Sequence, residues 1–171
     1  MGRRQAFVFV LLLVTSIGCD HAAKELARSA LQGAAPISWA GDAIRFELAL
    51  NPGAFLSLGS ALPEAVRKAL FVGLVPVLLA LVCSLAVRAG LPSWLALVGL
   101  ALVAGGGLAN WLDRMLHDGA VTDYVSLGVG GLRTGIFNLA DLAIVAGVAA
   151  FLLAGGAQEP AEPEAEATLD E

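Results

Sequence analysis

From Ala69 to Val87 the chain runs nineteen residues without a charge. Such a run is long enough to cross a bilayer and too apolar to sit in water. It is one of four. Ala6 to Ala27 gives 22 residues, about 33 Å as a helix at about 1.5 Å per residue. Leu91–Leu112 and Ile136–Gly156 are the other two. The whole chain of 171 residues is 58% hydrophobic and 15% charged, with mean hydropathy +0.80. A soluble domain is about 45–50% apolar and about 25% charged, so a soluble core of this size is excluded. The expected fold class is mainly α: a four-transmembrane-helix bundle, with spans near 6–27, 69–87, 91–112 and 136–156.

The N-terminus also has the outline of a signal peptide, with Arg3 and Arg4 before an apolar run and Cys19 after Ser16-Ile17-Gly18. Three further apolar segments follow, however, and the run continues through Asp20 and Lys24 as a first span. Between the first two spans, Ile44 to Leu50 alternates apolar and polar residues, as a half-buried strand does. It leads into Asn51-Pro52-Gly53, a turn signal, and then into apolar Phe55 and Leu56. A small extracytoplasmic β-sheet lying on the membrane surface is expected there. Pro76 is expected to kink the second span, and the glycines at 105–107 to permit close helix packing. Residues 113–135, glycine-rich and polar, read as a loop.

The formal net charge of −5 is set by the tail. The last fifteen residues hold six of the fifteen acids and no base, so residues 157–171 are expected to be a disordered acidic tail after a membrane domain over 1–156. The remaining ten bases and nine acids form no basic stripe, and no nucleic-acid partner is expected. Cys19 and Cys83 read as packing residues rather than a disulfide or a metal site. Four spans put both termini on one side. Arg3, Arg4 and Arg88 then face Arg28, Arg45, Arg67, Lys68, Arg114 and Arg133 on the other side, three against six, opposite to the usual positive-inside bias. The orientation with both termini in the cytoplasm follows the first helix.

Acidic residues in or beside these spans are functional candidates, because a charge in hydrocarbon costs at least about 2.5–3.5 kcal/mol. Asp113, Asp118, Asp123 and Asp141 are such residues. Asp141 is the only charge between Arg133 and Glu159; counted from Ile136 it is expected about 7–8 Å inside the helix. Asp20 and Lys24 are four apart and can pair, either easing insertion or orienting a surface group. Asn110, Asp113 and Arg114 share a helix face, as do Asn138 and Asp141. Asn51 joins them at the outer membrane face. His21 and His117 carry no nucleophile or zinc motif, and neither a metal nor a cofactor is expected. Two of the carboxylates brought together can share a proton, one taking a proton from water while the other donates to a carbonyl. Structural ion pairs such as Asp113–Arg114 are the other reading of the same residues.

The ordered motifs Asp20…Lys24, Asn51-x-Gly53-Ala54, Gly105-Gly106…Asn110-x-x-Asp113-Arg114, Val121-x-Asp123-Tyr124 and Phe137-Asn138-x-Ala140-Asp141 resemble the lipoprotein signal peptidase (signal peptidase II) family of bacterial membrane aspartyl proteases. The resemblance implies Asp123 and Asp141 as a catalytic dyad. It implies that Asp20, Lys24, Asn51, Gly53, Asn110, Asp113, Arg114, Asn138 and Ala140 support the site or hold substrate. It also implies a multi-pass enzyme of the bacterial cytoplasmic membrane. Such an enzyme works at the outer face, where it cleaves diacylglyceryl-modified prolipoproteins N-terminal to the modified cysteine, among membrane lipid. One departure is that Phe55 follows Ala54 directly, where the family usually has one more small residue. The alternatives are a small ion- or proton-coupled transporter, with carboxylates along a route through the bilayer, and a structural membrane subunit.

Overall fold

A computed structural model of the chain describes residues 1–54, 58–91 and 93–156. The acidic tail over 157–171 and the apolar loop residues Phe55 and Leu56 lie outside the described residues. In chain order the elements are α1 (Arg3–Leu31), β1 (Ile37–Trp39), β2 (Ile44–Asn51), α2 (Glu64–Arg67), a π-helical segment (Lys68–Leu74), α3 (Val75–Ala89), α4 (Trp94–Leu116), β3 (Val121–Val129), β4 (Leu132–Arg133) and α5 (Leu139–Gly156). Three helical runs, Arg3–Leu31, Glu64–Arg88 and Trp94–Leu116, are long and apolar enough to cross a membrane; α5 is apolar but shorter. At 29 residues, α1 is about 43 Å long and extends past a hydrocarbon core of about 30 Å.

Helix α4 is the axis of the bundle. Twelve of its residues are buried, from Ala96 to Arg114, and it packs on α5, α1 and α3. Its three consecutive glycines explain how one helix serves three neighbours. Successive residues point about 100° apart, and each glycine faces a different helix. A Cβ on Gly105 would lie 2.7 Å from the Ser16 side chain of α1, one on Gly106 would lie 2.5 Å from the Ala140 carbonyl, and one on Gly107 would lie 2.7 Å from Leu79 of α3. One turn and more away, Gly99 and Gly147 oppose each other, each too close to the other's carbonyl to admit a side chain. Lipid gives no hydrophobic gain for helix association, so van der Waals contact at these close approaches, together with interhelical hydrogen bonds, holds the helices together.

The second span is irregular where the sequence suggests it should be. Pro76 stands at the start of α3, directly after the π-helical turn. It has no N–H for the carbonyl four residues back, that of Val72. The indole Nε1 of Trp111 on α4 donates to that carbonyl at 2.9 Å, so a neighbouring helix satisfies the group that proline leaves open.

The four strands form one antiparallel sheet in the order β1-β2-β3-β4. The expected strand over 44–50 is β2. The expected loop over 113–135 is instead the end of α4 followed by β3 and β4; β3 pairs with β2, Asn51 opposite Val121 and Ile44 opposite Leu127, with a register shift between Phe46 and Ala49. The partner strands lie some seventy residues apart in sequence, so this pairing is a tertiary event with little local signature.

The glycine contacts generate a prediction. Gly106→Ala places a methyl against the Ala140 backbone and lowers stability by about 1–3 kcal/mol. Gly18→Ala, at a helical position with nothing within 4 Å, holds or gains up to about 1 kcal/mol from helix propensity. Thermal unfolding of the two purified variants in one detergent checks this; equal midpoints contradict it.

Candidate active site

The start of α5 is built by its own side chains. Asn138 precedes the helix and its Oδ1 accepts the Asp141 N–H at 3.0 Å, while Asp141 Oδ2 accepts the Asn138 N–H at 3.3 Å. This is a reciprocal capping box made with Asn and Asp. Because α5 begins at Leu139, Asp141 lies in its first turn, not 7–8 Å inside a helix begun at Ile136. It therefore sits at the positive end of the helix dipole, where a carboxylate is favoured.

Asp123 arrives from β3 and is 1% exposed. Asn51, the last residue of β2, donates from Nδ2 to Asp123 Oδ2 at 2.8 Å and to the Ala54 carbonyl at 3.0 Å, while its Oδ1 accepts the Gly53 N–H at 2.9 Å. One amide thus fixes both the turn and the carboxylate. Asn138 Nδ2 donates to Asp123 Oδ1 at 2.6 Å. Asn138 is the bridge: its side chain holds Asp123 and its backbone N–H holds Asp141. Asn110 of α4 completes the set, donating to Asp141 Oδ1 at 2.9 Å and accepting from Asn138 Nδ2 at 3.1 Å and from Lys24 Nζ at 2.9 Å.

Beneath this amide layer is a charged one. Lys24, with no exposed surface, lies 2.7 Å from Asp20 and 3.3 Å from Asp113. Asp20 Oδ1 accepts the Ala140 N–H at 2.8 Å. Asp113 does not pair with the adjacent Arg114, as one reading of the sequence has it; its partners are Lys24, Arg28, His117 and the Thr122 N–H. Arg114 turns the other way, donating to the Gly53 carbonyl at 2.5 Å and the Asn110 carbonyl at 3.2 Å, with its guanidinium over the Phe71 ring. The residues named from the sequence therefore converge: Asp20, Lys24, Asn51, Asn110, Asp113, Arg114, Asp123, Asn138 and Asp141 are buried together, and Gly53 and Ala140 contribute backbone groups. Asp118 is exposed in the turn after α4 and stands apart, with a positive φ of 51°.

Arg28, Thr122 and His117 also belong to this network, outside the site residues expected from the sequence. Arg28 carried a signal, being four residues from Lys24 and eight from Asp20. His117 carried the same signal, standing four residues after Asp113; Thr122 carried none, since strand pairing brings it in.

Burial pushes the Asp123 carboxyl up to about 6, and the charge of Asp141 adds to this, while the hydrogen bonds from Asn51 and Asn138 oppose it. Next to it, Tyr124 lines an apolar cleft of about 300 Å³ between α1 and the sheet, with Ala23, Leu26, Ala27, Ile37 and Phe46. Two buried carboxylates sharing a bridging asparagine are equipped for acid–base work.

The signal peptidase II family pattern matches residues 12–155. The lipoprotein signal peptidase of Xylella fastidiosa (strain M12) is 32% identical over 142 residues, covering 83% of this chain and 84% of that protein. That of Borreliella burgdorferi (strain ZS7) is 28% identical over 155 residues, covering 88% and 90%. The match to the lipoprotein signal peptidase of Methylobacterium radiotolerans is 46% identical over 77 residues, spanning 44% of that relative's length. A solved structure of a bacterial membrane enzyme superposes with a TM-score of 0.76 at 19% identity, over 91% of this chain and 93% of that one; at that identity it speaks for the fold alone. A pattern covering residues 12–155, with a relative 32% identical along most of both lengths, establishes that this chain belongs to the signal peptidase II family.

Proposed function

We propose that the chain is a membrane aspartyl endopeptidase that removes the signal peptide from prolipoproteins, cutting N-terminal to a diacylglyceryl-modified cysteine. The observation that carries the reading is Asn138, which hydrogen-bonds Asp123 through its side chain and Asp141 through its backbone and so holds two carboxyls at one place. In the proposed reaction Asp123, raised by burial, holds the shared proton. Asp141, at the N-terminus of α5, takes a proton from water as the oxygen attacks the scissile carbonyl carbon. Asp123 gives its proton to the carbonyl oxygen. When the tetrahedral diol collapses, the C–N bond breaks, Asp141 protonates the leaving nitrogen, and Asp123 recovers a proton from the diol. The apolar cleft beside Tyr124 suits the lipid-bearing side of such a substrate.

The chain is a multi-pass protein of a bacterial membrane, from its family and its long apolar helices. We propose four spans, counting α5 at 18 residues, about 27 Å, with both termini cytoplasmic and the carboxylates at the outer face. A transporter would carry acids along a route through the bilayer. Helix α3 has none, and those of α4 and α5, Asp113 and Asp141, stand near one end of each helix.

Two predictions follow from the site and the topology. Asp123→Asn and Asp141→Asn each cut cleavage of a purified diacylglyceryl-modified prolipoprotein by about 10,000-fold, and the double variant is no worse, since the two act as one unit. Exposed Asp118→Asn cleaves normally. Appreciable cleavage by either single variant at normal protein level removes the aspartyl mechanism. For topology, a membrane-impermeant thiol reagent added outside cells labels Gly41→Cys and leaves Gly90→Cys untouched; the opposite pattern inverts the bundle.

A further inference from the structure

Arg28 lies outside every motif that carries the family resemblance, and it is only 17% exposed by side chain. Along α1, Asp20, Lys24 and Arg28 follow at intervals of four and so share one face, flanked by buried Ala27 and Leu31. Asp113 of α4 sits between the two cations, 3.3 Å from Lys24 and 2.7 Å from Arg28. Charges therefore alternate along a ladder: Asp20, Lys24, Asp113, Arg28. The ends of the ladder reach two different elements. At the inner end, Asp20 accepts the N–H of Ala140 at 2.8 Å. At the outer end, Arg28 Nη2 donates to Thr122 Oγ1, and Asp113 Oδ2 accepts the Thr122 N–H at 2.6 Å.

Ala140 is the residue before Asp141, and Thr122 is the residue before Asp123. We infer that Arg28 is a positioning residue for Asp123: α1 acts as a gauge that sets the spacing of the two carboxylates, with Asp20 holding the α5 side and Arg28, through Thr122, holding the β3 side. The two ends are eight residues apart, about 12 Å along the helix. Strand β3 is already tied to the residues before α5 by the Val125–Phe137 bridge and by Asn138; the α1 ladder adds a second brace, on the backbone positions immediately before the two aspartates. An arginine suits the outer end because its fork divides its donors. Nη1 bonds Glu25 at the rim, while Nη2 reaches Asp113 and Thr122. The inference rests on Asp123 and Asp141 being the reacting pair.

Steady-state kinetics of the purified full chain on a diacylglyceryl-modified prolipoprotein tests it. Arg28→Ala lowers kcat by about ten- to a hundredfold with KM unchanged, as displacement of a catalytic group does. Thr122→Val, which keeps the shape and removes the hydroxyl, gives a loss of the same size, and Thr122→Ser restores wild-type kcat. The Arg28→Ala, Thr122→Val double variant loses no more than the larger single loss, because one contact is removed twice. If Arg28→Ala does not accumulate, the Thr122 Val and Ser pair carries the test alone. Wild-type kcat in Thr122→Val, losses that multiply in the double variant, or a loss residing in KM overturns the gauge. Asp123→Asn run alongside separates the two ideas. Cleavage by that variant sinks the aspartyl reading itself. Its inactivity beside a fully active Thr122→Val sinks the gauge only.

Discussion

The ammonium of Lys24 has no access to water, and the arrangement around it follows from that. An isolated charge in such a place costs several kcal/mol even after relaxation. It is compensated by Asp20 on its own helix, by Asp113 on α4 and by the Asn110 amide oxygen. Those partners have their own unsatisfied capacity, which is met by the Ala140 and Thr122 N–H groups and by Arg28. Compensating one buried cation thus draws α1, α4, α5 and β3 to a common point. Replacing the cluster by apolar residues need not weaken the fold, so its persistence is better understood through what it holds in place. It brings two carboxylates on separate elements to the same asparagine.

Rigidity is distributed to match. Where α4 meets α5 and α1, backbones approach so closely that glycine is required on one side or both. The carboxylate at the head of α5 therefore stands on the most tightly packed pair of helices. The span from Glu64 to Arg88 is different. None of its most apolar window is buried, and a π-helical segment over Lys68–Leu74 interrupts it. Its specific ties to α4 include Trp111 to the Val72 carbonyl and the Phe71 ring under Arg114. Local stability follows buried contact, so motion that admits a substrate is more easily accommodated on this side than between α4 and α5.

Much of this was legible in the sequence because membranes make polar residues conspicuous. Asp141 in an otherwise charge-free run, Asp20 and Lys24 four apart, and Asn110, Asp113 and Arg114 on one face each stand out as polar residues at a membrane face; that they are buried together is visible only in the fold. Their partners were harder to read. Adjacent Asp113 and Arg114 suggested a pair, yet side chains one residue apart on a helix diverge, and the two turn to different elements. Strand β3 has a masked pattern in the sequence. Val121, Val125, Leu127 and Val129 keep the period of two, but Asp123 occupies a slot in that row and glycines follow it. The residue that breaks the pattern is the one the site uses. Asp141 was placed too deep because Ile136 and Phe137 are as apolar as the helix after them, whereas Asn138 sets the start through its cap.

The central claim is that two buried carboxyls share one proton, and infrared difference spectroscopy across a pH titration addresses it most directly. The Asp123 carboxyl, raised to about 6 by burial and by the nearby charge of Asp141, keeps its proton above the range where an ordinary aspartate has lost it, near 4. A protonated-carboxyl band should persist through that interval, lose the Asp123 contribution in Asp123→Asn, and titrate at lower pH in Asp141→Asn, where the like charge is gone. Because the groups are coupled, the apparent value belongs to the pair. A protein with no carboxyl band above pH 5, or one whose band is unchanged by Asp123→Asn, would contradict the account.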